Sequence, residues 1–134
     1  MNSYKLKIGY KNMDANWVVN ALQKTYWADD RPTDVIIKSM QNSDCFGVFD
    51  GDKQIGFCRV ITDHATTFYF CDAIIEESYR GKGVGSIMLN YITNSPEYKD
   101  LRGIVGTKDA HGFYEHFGFE KNDTWFLQRW SKKF

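Results

Sequence analysis

The residues best suited to chemistry in this 134-residue chain are Arg80-Gly81-Lys82-Gly83-Val84-Gly85-Ser86. Glycine at every second position removes the Cβ atoms that would block an approaching ligand. Immediately after it, Val84, Ile87, Met88, Tyr91 and Ile92 repeat at helical spacing, so the loop opens a helix whose first N–H groups have no intrahelical partner. Free donors at the positive end of a helix dipole, flanked by Arg80 and Lys82, suit an anion such as a pyrophosphate. Two nucleotide motifs are not met. No Gly-Lys here has the upstream Gly and the following Ser or Thr of a Walker A loop, and the dinucleotide pattern GxGxxG breaks at Ser86. The loop is then an anion site of another kind, or a solvated turn joining strand to helix.

The elements that must position this loop follow from period and punctuation. Tyr4, Leu6 and Ile8 alternate with Lys5 and Lys7, as in a half-buried strand. Asp14 can cap a helix carrying Ala15, Val18, Val19, Leu22 and Tyr26, and Pro32 fits the start of a second helix bearing Val35, Ile36, Ser39 and Met40. Phe46 to Phe49 and Gln54 to Thr62 flank Asp50-Gly51-Asp52-Lys53, an antiparallel hairpin signature, and a loop over 63–66 leads into a third strand, Thr67 to Ile75. The helix from Val84 is halted by Asn94-Ser95-Pro96, and Leu101 to Gly106 is a further strand, parallel to Thr67–Ile75 because a helix connects them. Asp109 or Thr107 can cap a last helix with Phe113, Tyr114 and Phe117, Gly118 can close it, and Phe119 and Thr124 to Trp130 read as closing strands.

Arg80-Gly81-Lys82-Gly83-Val84-Gly85 resembles the R/Q-x-x-G-x-G/A signature of the GNAT superfamily of acyl-CoA-dependent N-acyltransferases, and Tyr114-Glu115-His116-Phe117-Gly118-Phe119 resembles its Y-x-x-x-G-F motif. The two stand in the family's order, a helix and a strand apart, and the order of elements is similar over nearly the whole chain. The resemblance implies an α/β fold of mixed α+β character. Its sheet is central, mixed and mostly antiparallel, splayed between the strand ending at Ile75 and Leu101–Gly106, and flanked by about four helices. It implies acetyl-CoA in the gap, with the pyrophosphate on the backbone of Arg80 to Ser86. Ile74 and Ile75 then lie along the pantetheine arm, and Tyr114 is the general acid for the departing thiolate, unless it only packs beside Phe113 and Phe117. Many members carry Asn where Thr107 stands, and its hydroxyl can make only part of an amide's bonds. Glu77 stands where Pro is frequent.

Acyl transfer to an amine needs the nitrogen neutral, and a lysine-like amine has a pKa of ~10.4, so a base or a water chain must take a proton. Asp72, polar within the apolar run Phe68 to Ile75, is the first candidate base, with Glu76, Asp63 and His64 as alternatives. The helix-one/helix-two connector offers Tyr26, Trp27 and Arg31, with Asp29 and Asp30, to an amine acceptor. Tyr26 and Trp27 could equally plug the end of the core. His111 and His116 read as surface or capping residues.

Composition narrows the partners. Lys plus Arg and Asp plus Glu are 17 each, for a formal net charge of zero, which gives no electrostatic grip on nucleic acid or an anionic membrane. The opening residues lack the apolar centre of a signal peptide and no apolar run is long enough to span a bilayer, so the expectation is one cytoplasmic domain over 1–134. Cys45, Cys58 and Cys71 lie in apolar runs with no CxxC pair, so they read as packed thiols, with no metal site expected. Three functions are weighed. The first is an acetyl-CoA-dependent N-acetyltransferase acting on a small-molecule, peptide or protein amine, a possible homodimer through Trp125 to Trp130. The second is a CoA-binding sensor or interaction module without turnover. The third is a nucleotide-binding α/β domain, which the motif misses disfavour.

Overall fold

In the computed structural model, which describes residues 3–133, alternation and turn chemistry build a five-stranded sheet in the order β1-β2-β3-β4-β5. Its strands are β1 (Lys5–Ile8), β2 (Asp44–Asp50), β3 (Lys53–Thr62), β4 (Thr67–Ile75) and β5 (Arg102–Val105). Gly51, at φ +60°, supplies the left-handed residue of the β2–β3 hairpin. Neighbouring strands are antiparallel except β4 and β5, which are parallel. That parallel ladder runs only from Thr67–Arg102 to Phe70–Val105. Beyond it, Cys71 to Ile75 pair with β3 alone, so β4 presents an unpaired backbone edge to the gap from which β5 has departed.

Among the described residues four α-helices cover the sheet: α1 (Ala15–Leu22), α2 (Thr33–Gln41), α3 (Val84–Asn94) and α4 (His111–Glu115). Asp14 caps α1 by accepting from the Trp17 N–H at 3.1 Å. On one face Val18, Val19, Leu22, Ile36 and Met40 from α1 and α2 bury Cys45, Phe57 and Ile74. On the other, Val84, Met88, Leu89 and Ile92 of α3 close over Phe46, Val48, Ile55, Cys58, Val60, Phe68 and Phe70. Cys45 and Cys58 are free thiols packed in these cores and Cys71 is half-buried; burial pushes Cys45 up to about 11 and Cys71 up to about 12. No helix of the described residues is long and apolar enough to cross a membrane, and no group of three His, Cys, Asp or Glu among them could hold a metal ion.

Three readings need correction. Helix one stops at Leu22 and does not reach Tyr26, because the Thr25 hydroxyl donates to the Leu22 carbonyl and accepts from the Ala28 N–H, turning the chain out of the helix. The last helix is five residues long with Ala110 at its cap position; Thr107, not Asp109, holds its entry by accepting from the Ala110 N–H at 3.1 Å. Finally, neither Phe119 nor Thr124–Trp130 forms a strand. Gly118, at φ +89°, turns the chain and Phe119 docks against Phe68 and Tyr114. The polar run over 120–123 then has nothing apolar to hold the next residues on the body, and Trp125, Phe126, Leu127 and Trp130 are exposed.

Candidate active site

The anion loop owes its shape to two glycines and its seat to a third. Gly81 and Gly83 have φ of +76° and +82°, and a Cβ built on either meets nothing within 4 Å, so both surround open space that a side chain would enter. Gly83 is the left-handed cap of α3. The first intrahelical bond runs from Ile87 N–H to the Gly83 carbonyl at 3.2 Å, leaving the N–H groups of Val84, Gly85 and Ser86 ahead of it. Gly85 differs, because its Cβ would lie 3.3 Å from Cζ of Phe113. Glycine there admits the α4 ring, not a ligand. Val84 fills the space over Gly56, seating the N-terminus of α3 on β3.

Arg80 and Lys82 are exposed. The Lys82 ammonium lies 5.5 Å from the centre of the Tyr79 ring, whose hydroxyl donates to Asp50 at 2.7 Å. A polar hollow of about 460 Å³ includes Lys53, Tyr79 and Lys82. The larger cleft, about 800 Å³, lies elsewhere, against β5, α4 and the segment from Phe117 to Gln128, and meets the site through Tyr69, Thr107 and Tyr114. The two do not coincide. A phosphate needs converging donors more than an apolar enclosure, and it is the loop, not the cleft, that offers them.

Ile74 and Ile75 stand on the unpaired part of β4, their backbones registered with Phe57 and Gly56 on the β3 side. Ile74 is buried under α1 and α2, while Ile75 packs toward α3. Tyr114 comes up from α4 on the α3 side, its ring 5.7 Å from Phe70, the last β4 residue paired to β5. Burial pushes its phenol up to about 12, so the hydroxyl stays protonated at neutral pH. Thr107 follows β5 closely, and although its oxygen accepts from Ala110 its own O–H is left to donate.

The α1–α2 side carries an ionic cluster around Asp72. Cys71 pairs with Arg59 and Ile74 with Phe57, so Asp72 and Ala73 together face Cys58, a bulge at which Asp72 takes φ +54°. Its Oδ2 accepts from Arg59 Nε at 2.6 Å and from Arg31 Nη1 at 2.9 Å, and its Oδ1 accepts from the Trp27 indole N–H at 3.2 Å. Burial alone would raise the Asp72 carboxyl; Arg59 and then Arg31 more than reverse this, and its pKa lies below the ordinary carboxylate range. Such a carboxylate is a weak proton acceptor. Trp27 and Arg31 are thus brought to Asp72, whereas Tyr26 stands outside, edge-on to Trp27 and beneath the Lys108 ammonium.

Of the alternative bases, Asp63 accepts from the N–H groups of Thr66, Ala65 and Thr67, which hold its carboxyl well below the usual range. His64 is exposed, 3.6 Å from Asp44. Glu76, directly after β4, accepts from the Trp17 indole through Oε2 at 3.2 Å. Arg59 was not singled out from the sequence. The available signal was a permanent charge inside the apolar run Gln54–Thr62, which required an acidic partner on a neighbouring strand.

Residues 41–121 match the family model described as Acetyltransferase (GNAT) domain, and the chain belongs to that family. Its structure resembles the crystal structure of a Xanthomonas campestris pv. campestris protein assigned to the gnat family of acetyltransferases, with a TM-score of 0.92 and 28% identity, covering 98% of this chain and 95% of that one. A Clostridium acetobutylicum protein, predicted to be an acetyltransferase and crystallised with acetyl-CoA, shares the fold at a TM-score of 0.71 and 12% identity, covering 94% and 96% of the two chains. Among curated proteins, the GCN5-related N-acetyltransferase 2, chloroplastic, of Arabidopsis thaliana is 26% identical over 121 residues, 85% of this chain and 46% of its own length. The chain therefore spans about half the length of that relative.

Proposed function

We propose that this domain moves an acetyl group from acetyl-CoA to a primary amine by direct attack through a tetrahedral intermediate. The observation that carries this reading is the placing of three features around β4. The open left-handed glycines lie at the N-terminus of α3, the edge of β4 is released by β5, and the Tyr114 phenol stands where the strands part. The space over Gly81 and Gly83 fits a phosphate that must touch backbone.

In this reading the N–H groups of Val84, Gly85 and Ser86, with Arg80 and Lys82, hold the pyrophosphate, and the free β4 edge at Ile74 and Ile75 holds the pantetheine arm. Thr107 donates its O–H from the far wall. The amine enters from the α1–α2 side past Tyr26, Trp27 and Arg31, and its nitrogen attacks the thioester carbon. Collapse breaks the C–S bond. A thiol titrates near ~8.5 and Tyr114 near 12, so the phenol stabilises the departing thiolate as a hydrogen-bond donor, and full proton transfer from it runs uphill. Asp72, occupied by three donors, acts as a positioning residue. Glu76, whose second carboxylate oxygen accepts no hydrogen bond among the described residues, is the base in place of Asp72.

A panel of amines assayed for release of the CoA thiol tests the reading, with CoA affinity measured by calorimetry. Turnover with at least one amine that falls on Glu76→Gln is expected. Tight binding without turnover across the panel would replace the enzyme with the CoA-binding module. Trp125, Phe126, Leu127 and Trp130, exposed within six residues, support self-association as a homodimer, read by sedimentation of the protein and of Leu127→Asp.

A further inference from the structure

Two guanidinium groups converge on one carboxylate. Arg31 and Arg59 are permanently charged, and among the described residues the ion pairs of both go to Asp72 alone, which leaves one positive charge in excess. The geometry of sharing matters as much as the count. Both bonds end on Oδ2, while Oδ1 is taken by Trp27. Neither arginine therefore spends the paired edge of its fork on a two-bond grip. Their side chains keep 14% and 13% of their exposure, and no buried side-chain nitrogen among the described residues lacks a partner. The unspent N–H groups of both guanidiniums thus keep a small contact with solvent.

Both guanidiniums lie on the α1–α2 side of the sheet, the side proposed for the acceptor. Arg59 falls between Cys58 and Val60, which face α3, so it projects to the opposite face with Phe57. Along the same face Ile61 and Tyr69 stand opposite each other in the β3–β4 register and are both exposed, giving an apolar floor beside the charge. Trp27, itself half-exposed, forms the wall on the connector side. Cys71 and Ile74, which bracket the Asp72 bulge, stand opposite Arg59 and Phe57, two strand positions or on the order of 7 Å apart.

We infer that Arg31 and Arg59 form an anion subsite that selects an amine acceptor carrying its own carboxylate, placed so that the acid group sits against the two arginines while the nitrogen reaches the β4 edge. A lock that only pinned the connector would need one arginine; the second adds a buried charge that Asp72 cannot neutralise. The subsite rests on the acyl-transfer reading for which end of the ligand reacts, but its anion binding is independent of turnover.

N-acetylglycine and N-ethylacetamide, one acidic and one neutral probe sharing an N-acetyl group, test this by titration while the Trp27 indole N–H is followed by NMR. N-acetylglycine is expected to shift that signal and to bind roughly tenfold more tightly than N-ethylacetamide. Arg31→Gln is expected to abolish the preference, and Arg31→Lys to restore part of it, with unchanged CoA affinity. Equal binding of the two probes, or N-acetylglycine binding that leaves the Trp27 signal still, overturns the subsite. Should Arg31→Gln unfold, the wild-type comparison of the two probes decides alone. Loss of CoA binding with the N-acetylglycine preference intact would sink the acyl-transfer reading and leave the subsite standing.

Discussion

Two regions on either side of the free edge of β4 are built on opposite principles. The loop from Arg80 to Ser86 works by removing matter: Gly81 and Gly83 leave space, and the contacts on offer are backbone N–H groups fixed by the start of α3. The cluster at Asp72 works by filling: a carboxylate with a side-chain exposure of 4% is held by side chains from the α1–α2 connector and from β3. A backbone cradle serves a group that is the same in every turnover, such as a pyrophosphate. Side chains gathered from separate segments can be exchanged singly, which suits the acceptor-recognising role proposed for this cluster.

The largest effect is expected where the filling is undone. Asn tolerates φ +54° nearly as well as Asp, so Asp72→Asn isolates the charge. It leaves two guanidiniums buried without a counter-ion, at about 3–5 kcal/mol, or on the order of 10 °C in Tm for a domain of this size. A melting temperature within 2 °C of wild type would show that solvent, not Asp72, satisfies the arginines. The same carboxylate sets an acid limit. Its folded pKa is depressed, so its contribution is complete above the unfolded value near ~3.9 and drains away as pH falls through the lower folded value. Urea titrations of wild type between about pH 5 and 2 should lose a step that Asp72→Asn lacks.

Next in size is Tyr114→Phe. The ring contacts with Phe70, Phe113 and Phe119 survive, so stability should change by about 1 kcal/mol or less. The lost donor should lower kcat by roughly 10- to 10³-fold with acetyl-CoA affinity nearly intact. Because burial holds the phenol near 12, any alkaline loss of rate below pH ~10 must come from another group. Undiminished kcat, with chemistry rate-limiting, removes Tyr114 from the reaction.

The unequal legibility of the two regions follows from the same contrast. Gly81, Gly83 and the α3 stripe lie within a few residues of one another, so spacing alone exposed the anion loop; the aromatic run ending in Gly118 was equally local. Asp72 was visible as a polar residue in an apolar strand, but its meaning depends on Arg59, Arg31 and Trp27, which lie 13, 41 and 45 residues away and meet it only once the β3–β4 register and the connector are in place. A buried acid reads as a base until its partners are known. Thr124 to Trp130 misled for the converse reason: aromatic and β-branched residues have strand propensity, and nothing local says whether a neighbouring edge is there to pair with.

Smaller effects separate glycines that the sequence presents as equivalent. Gly83→Ala must hold an alanine at φ +82°, a strain of about 1–2 kcal/mol, and it places a methyl group in the space assigned to phosphate. Both Tm and CoA affinity should fall. Unchanged CoA affinity in a folded Gly83→Ala protein would take the phosphate away from this loop.

Gly85→Ala should behave differently at each step. Position 85 is the second residue of α3, where alanine is favoured over glycine by at most about 1 kcal/mol, and no positive φ opposes it. The new Cβ would sit 3.3 Å from the Phe113 ring, closer than it would choose. That ring is 37% exposed on a helix of five residues, so it can yield by a few tenths of an ångström. Helix propensity and crowding then nearly cancel, and Tm should stay within about 3 °C of wild type. The methyl faces α4 and not the space over Gly81 and Gly83, so CoA affinity should be unchanged. If Gly85→Ala instead weakens CoA binding as much as Gly83→Ala does while Tm holds, ligand and not Phe113 occupies the space above Gly85.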